Sequence, residues 1–187
     1  MISPASDRRE GEERGTQFIL ALGSNLGDRR VHLVRGLEFL ARHLTIEAMS
    51  KVVNSPAWGP VHSQPDFLNL VLRGSTDRDA LGLLGVAQEA EAAARRVRVV
   101  RQGPRTLDVD LIFFGTLRIQ SERLRLPHPH WAERPFVCRL IPEVAGDMVD
   151  PDSGCSLRKL SWDDPLPGGM RVVAPLSALT GVGGSIR

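Results

Sequence analysis

Cysteine is scarce in this chain: Cys138 and Cys155 are the only two, and they stand apart without CxxC spacing. That excludes a disulfide-stapled secreted fold and a cysteine-built metal site of the usual spacing. Lysine is also rare, with Lys51 and Lys159 alone among 24 basic residues, so the position of each arginine carries more weight than their number. No apolar run approaches the ~18 residues of a membrane span, and Met1 to Gly15 is charged and polar, unlike a signal peptide. The expectation is a cytoplasmic protein with no membrane partner. Net charge is only +2, so no global basic field argues for nucleic acid. There is no internal repeat.

What is present fits one globular domain. The 187 residues are 42% hydrophobic and 25% charged, enough to bury a core. Residues 1–15 are expected to be a disordered tail, because Ser3 to Arg14 mixes charges with almost nothing to bury, and residues 180–187 a glycine-rich flexible one. The domain is expected over residues 16–179.

Hydrophobic periodicity sets out the elements. Gln17 to Leu22 reads as a buried strand, closed by Gly23-Ser-Asn-Leu-Gly27, after which Asp28 can cap a helix carrying Val31, Val34, Leu37 and Leu40 to about His43. Ile46 to Asn54 and Phe67 to Arg73 read as strands, separated by a turn-rich loop from Ser55 to Pro65. Thr76 to Asp79 offers caps for a second helix bearing Leu81, Leu84, Ala87, Ala90 and Ala94. A final strand ends at Gly115. The order β-α-β-β-α-β predicts an α+β, ferredoxin-like sandwich: an antiparallel sheet with two helices on one face, plus a C-terminal extension. The other face is then free to carry a site. Within the extension, Arg118 to Leu126 reads as extended, Pro127 to Trp131 as a turn, and Phe136 to Ile141 as helix or strand.

The last strand of that pattern carries the chemistry. Its period of two sends Leu107, Val109, Leu111 and Phe113 to one face and Asp108 and Asp110 to the other. Alone, such a pair is most often a solvated strand face. Here Arg95, Arg96, Arg98, Arg101 and Arg105 precede it without counter-charge, and Arg123, Arg125, His128 and Arg134 follow. Two acids for hard cations beside guanidinium forks for phosphate are what magnesium-dependent phosphoryl transfer requires. A solvated loop or helix end is the plainer reading of the arginines.

Other segments carry less. Gly23 to Gly27 is neither a Walker loop nor a GxGxxG turn, and reads as a tight strand-to-helix connection. Trp58, Phe67, Asn69 and Phe136 could be packing residues, or could stack on and hydrogen-bond to a flat heterocycle. His128 and His130 make no metal site by themselves.

Taken together, Ala21-Leu-Gly-Ser-Asn-Leu-Gly27, Ser55-Pro-Ala-Trp-Gly-Pro60, Gln64-Pro-Asp-Phe-Leu-Asn69, Gly103-Pro-Arg-Thr-Leu-Asp-Val-Asp110, Arg123-Leu-Arg-Leu-Pro-His128 and Arg134-Pro-Phe136 resemble the 6-hydroxymethyl-7,8-dihydropterin pyrophosphokinases of folate biosynthesis. The resemblance runs from about Phe18 to Ala145. It implies an ATP- and magnesium-dependent diphosphotransferase that moves the diphosphate of ATP to the pterin hydroxymethyl group and releases AMP. It also implies two magnesium ions on Asp108 and Asp110. ATP would be held by Gln88, Arg98, Arg101, Arg105, Leu111, Arg123, His128 and Arg134, with Arg96 and Arg105 acting in catalysis. The pterin would lie between Phe67 and Phe136, with Asn69 on its polar edge and Ser55, Pro56 and Trp58 lining the pocket. Glu91 matches an acidic position near the site without an assigned role. Three positions depart from the family pattern: Arg95 where glycine is usual, Gln102 where tryptophan is common, and Pro129 in place of an aromatic residue. The arginine loop is also about one residue short. Altered nucleotide affinity or loop closure is expected from this, not lost chemistry. A monomer is expected. The competing reading, an RNA-binding module, lacks the aromatic strand signature, and its two aspartates would repel a nucleic-acid backbone.

Overall fold

In a computed structural model, which describes residues 15–59, 63–96, 103–160 and 169–174, the apolar run at Gln17 becomes the inner strand of an antiparallel sheet. β1 (Thr16–Ser24) lies between β5 (Asp108–Phe114) and β4 (Phe67–Thr76). The six-stranded sheet runs β5-β1-β4-β3-β8, with β2 also paired to β4. The single strand expected over Ile46 to Asn54 is two, β2 (Thr45–Met49) and β3 (Val52–Ser55). They break at Ser50 and Lys51. There the Ser50 amide donates to the Val71 carbonyl at 2.9 Å and the Ser50 hydroxyl accepts from the Val71 amide at 2.9 Å. A side chain thus replaces a backbone carbonyl in the ladder and keeps Val71 satisfied.

Both expected helices form under their expected caps. Asp28 accepts from the Val31 amide at 3.1 Å to start α1 (Arg29–Ala41), and Asp79 accepts from the Gly82 amide at 2.7 Å to start α2 (Ala80–Ala93). Their apolar stripes, Leu33, Leu37 and Leu40 with Leu83, Val86 and Ala90, pack with Phe18, Leu20, Leu22, Leu70 and Leu72 from the sheet. The opposite face is not free throughout. α3 (Pro135–Ala145) covers part of it, with Val137, Leu140, Ile141 and Val144 set against Ile19, Ala21, Val71, Ile112 and Phe113. The segment left open as helix or strand is therefore helix, started by Pro135 at its first turn.

Phe113 also departs from the expected face. The pairing of β1 with β5 shifts between Ile19↔Phe113 and Leu20↔Leu111, so Ile112 is an extra residue in the strand. Strict alternation holds from Leu107 to Leu111; beyond the bulge Ile112 and Phe113 both enter the α3-side core and Phe114 returns to the other. Arg118 to Leu126 folds as a short hairpin, β6 (Ile119–Gln120) with β7 (Arg125–Leu126), and β8 (Arg171–Ala174) adds an edge strand with no sequence counterpart. Both expected tails lie almost wholly outside the described residues. Among the described residues no helix is long and apolar enough to cross a membrane.

Candidate active site

Asp108 and Asp110 project from the start of β5 onto the sheet face that α3 leaves uncovered, opposite Gly23 and Ala21 of β1. Guanidinium groups surround them. Arg96 donates to Asp108 Oδ1 at 2.7 Å, Arg105 Nη2 lies 3.3 Å from Asp108 Oδ2, and Arg134 Nη1 donates to Asp110 Oδ2. His128 Nε2 stands 3.9 Å from Asp110 Oδ1. Burial, and then the adjacent Asp110 carboxylate, push the Asp108 carboxyl above its ordinary value, against the pull of Arg105, Arg96 and Arg134.

The end of α2 delivers Arg96. The Arg96 amide bonds the Glu91 carbonyl at 3.1 Å and the Arg95 amide bonds the Ala92 carbonyl at 2.9 Å, the 6→1 and 5→2 bonds of a Schellman ending. Arg95 occupies the left-handed position of that ending, with φ of 56°. Glycine would occupy this position without strain. The buried Glu91 side chain accepts from Arg96 Nη1 and from the Val109 amide at 2.9 Å, between the two aspartates.

Two clefts meet over the acid pair. The narrower is lined by Ser55, Pro56, Trp58, Phe67, Asn69 and Phe136. Asn69 is buried and donates to the Ser55 hydroxyl at 2.8 Å. Gly23 makes room for this arrangement, since a Cβ there would lie 2.6 Å from Asn69 Oδ1 and 3.2 Å from the Phe67 ring. The Arg105 guanidinium lies 5.3 Å from the Phe67 ring centroid and that of Arg134 lies 5.6 Å from the Trp58 ring, within cation–π range. The wider cleft, about 760 Å³, is bordered by Gln88, Glu91, Leu111, Arg123, His128 and Arg96. Burial, then Arg134 and His130, lower the His128 pKa to about 4, so the ring is neutral at pH 7. Arg105, Asp108, Asp110 and Arg134 line both clefts.

Every candidate site residue within the described residues therefore borders one of these clefts; Arg98, Arg101 and Gln102 lie outside the described residues. Sequence reasoning missed the clips that hold the loops. Asn25 accepts from the Arg105 amide at 2.8 Å and donates to the Pro65 carbonyl at 3.2 Å. Arg29 donates to Asn54 at 3.0 Å and to the Asp66 carbonyl at 2.6 Å, while Asn54 donates to the Asp66 carboxylate at 2.6 Å. These bonds fix both approaches to the site, Gly103 to Arg105 and Ser63 to Phe67. The signal lay in Gly23 to Gly27, whose asparagine could bond backbone groups on either side.

An antiparallel α+β sheet that sets paired strand carboxylates among guanidinium groups, at the junction of two clefts, defines a class of protein built to hold an anionic ligand beside a second, flatter one. Comparison narrows the class. Residues 19–146 match the model of the 7,8-dihydro-6-hydroxymethylpterin-pyrophosphokinase (HPPK) family, and the chain belongs to that family. It is 38% identical over 136 residues to the 2-amino-4-hydroxy-6-hydroxymethyldihydropteridine pyrophosphokinase of Methylorubrum extorquens, covering 72% of this chain and 85% of that protein. It is 39% identical over 127 residues to the bifunctional protein FolKE of Lactococcus lactis, covering 67% of this chain but only 36% of that longer protein. Among solved structures, Plasmodium falciparum HPPK-DHPS superposes with a TM-score of 0.62 at 14% identity, over 80% of this chain and 43% of that one. This last likeness concerns the fold.

Proposed function

We propose that the chain transfers the diphosphate of ATP to the hydroxymethyl group of 6-hydroxymethyl-7,8-dihydropterin, releasing AMP, in folate biosynthesis. One observation carries this reading: the two clefts share Arg105, Asp108, Asp110 and Arg134, so ligands in both would meet over the acid pair. The triphosphate occupies the wide cleft, with Arg123, His128, Gln88 and Leu111 around the nucleotide, joined by Arg98 and Arg101, which follow α2 in the sequence and lie outside the described residues. The pterin lies between Phe67 and Phe136, with Asn69 at its polar edge and Ser55, Pro56 and Trp58 around it. The fold reads as ferredoxin-like when β2 and β3 are counted as one interrupted strand, which gives the order β5-β1-β4-β2/β3 for the four core strands.

The acid pair suits magnesium. Two carboxylates are few ligands for a divalent ion, and among the described residues no cluster of three or more His, Cys, Asp or Glu side chains offers a complete cage. Magnesium is held this way in nucleotide sites, by one or two carboxylates with water and phosphate oxygens. Two ions on Asp108 and Asp110 would supply charge neutralisation at the phosphates and acidify the attacking hydroxyl.

The protein's own contribution is alignment and charge. Stacking in the narrow cleft holds the pterin hydroxyl in line with the β-phosphorus; an oxygen–phosphorus bond forms as the bridge to the α-phosphate breaks. Arg96, Arg105 and Arg134 face the charge that develops on the transferred group and on AMP. His128 faces the nucleotide as a neutral ring. All these residues come from one chain, so a monomer suffices. Incubation with ATP, magnesium and the reduced pterin yields AMP and the pterin diphosphate in equal amounts, and chelation stops it. Formation of ADP, or magnesium-independent RNA binding without turnover, contradicts the reading.

A further inference from the structure

Glu91 is a buried acid that the reaction above does not use. It sits on the last turn of α2 with 7% of its surface exposed, and a single oxygen, Oε1, accepts from two donors. One is the Val109 amide at 2.9 Å; the other is Arg96 Nη1, which also donates to Asp108 Oδ1 at 2.7 Å. The Arg96 guanidinium is therefore divided between two carboxylates, only one of which faces both clefts. A divalent cation approaching Asp108 competes with Arg96 for the same oxygens and is repelled by its charge.

We infer that Glu91 is a positioning residue that shares the Arg96 guanidinium with Asp108, so that Arg96 does not neutralise Asp108 alone and that carboxylate stays available to a divalent cation; this rests on the metal role proposed above for Asp108 and Asp110. Without the Glu91 charge, Arg96 turns wholly to Asp108, and an anion near the cation site is lost as well. Both changes weaken cation binding. Glu91→Gln separates this role from a scaffolding one, because the amide oxygen still accepts from the Val109 amide while the charge is gone. Arg96→Gln acts in the opposite sense, since it removes the competitor.

The test is direct binding of Mn²⁺, followed by its electron paramagnetic resonance signal, with each variant saturated by α,β-methylene-ATP, whose α–β bridge cannot be cut. Glu91→Gln raises the Mn²⁺ half-saturation concentration about three- to ten-fold, within the lower part of the range of coupling between contacting residues. Arg96→Gln lowers it below wild type, and adding Glu91→Gln in that background changes it by less than about two-fold. Equal Mn²⁺ binding by Glu91→Gln and wild type overturns the inference, as does weakening by both single substitutions. Should Glu91→Gln not fold, the sign of the Arg96→Gln shift decides. Mn²⁺ binding unaffected by Asp108→Asn and Asp110→Asn removes the proposed metal role and this inference with it, whereas aspartate-dependent binding that ignores Glu91 removes the inference alone.

Discussion

Arg134 reaches Asp110 from the cap position of α3, 24 residues further along the chain. It makes no side-chain capping bond to its own helix; its guanidinium instead lies between Asp110 and the Trp58 ring. One side chain thus ties the helix on the site face to the acid pair and to the narrow cleft.

Because Arg134 lines both clefts, the proposed reaction predicts that it serves both substrates. Arg134→Ala is expected to raise KM for ATP and for the pterin together and to lower kcat/KM about 100-fold, as for other electrostatic groups at phosphoryl centres. Arg134→Lys restores only part of this, because an ammonium lacks the planar fork and stacks poorly on Trp58. Steady-state kinetics with each substrate varied in turn checks it. A change confined to one KM excludes the shared role.

Arg95 offers a test on stability alone. Its side chain is exposed and its backbone is left-handed, a conformation that costs a non-glycine residue roughly 1–2 kcal/mol. Arg95→Gly regains about 1 kcal/mol after its larger unfolded-state entropy is counted. For a chain of this length that raises Tm by roughly 2–4 °C. Thermal melts followed by circular dichroism read it, and an unchanged or lower Tm contradicts the strain.

His128 sets a pH dependence. Its folded pKa of about 4 lies below the ordinary 6.5, because burial and then Arg134 and His130 disfavour the imidazolium. In the metal-free protein this group's contribution to stability is fully present above pH 6.5. It declines as pH falls toward 4, where the unfolded chain takes up the proton first. The stability of wild type relative to His128→Asn should fall across that window and stay level from pH 7 to 8, as measured by urea denaturation. A difference that stays constant from pH 4 to 8 contradicts the depressed pKa.

Much of this fold is legible in the sequence. Caps at Asp28 and Asp79 and the alternation of Leu107 to Leu111 express local rules and reappear in place; the helices form as expected, but their buried stripes are rotated, with Val31 and Leu81 exposed and Leu33, Leu83 and Val86 in the core. The bulge at Ile112 was not legible, since an extra residue in a strand changes the pairing without changing composition. Nor was the coverage of the site face by α3: Phe136 to Ile141 is a short apolar run, and periodicity cannot separate helix from strand in such a run. The acid pair and its arginines stood out as chemistry without counter-charge. Glu91 and Asn25 gained roles only once tertiary contacts brought Val109 and Arg105 beside them.

The two aspartates carry the whole reading, and single-turnover formation of AMP measures them most directly. With enzyme in excess over ATP, and magnesium and the reduced pterin present, Asp108→Asn and Asp110→Asn should each slow AMP release at least ~100-fold while the protein remains folded. Either variant turning over near the wild-type rate would show that the diphosphate is transferred without this carboxylate pair.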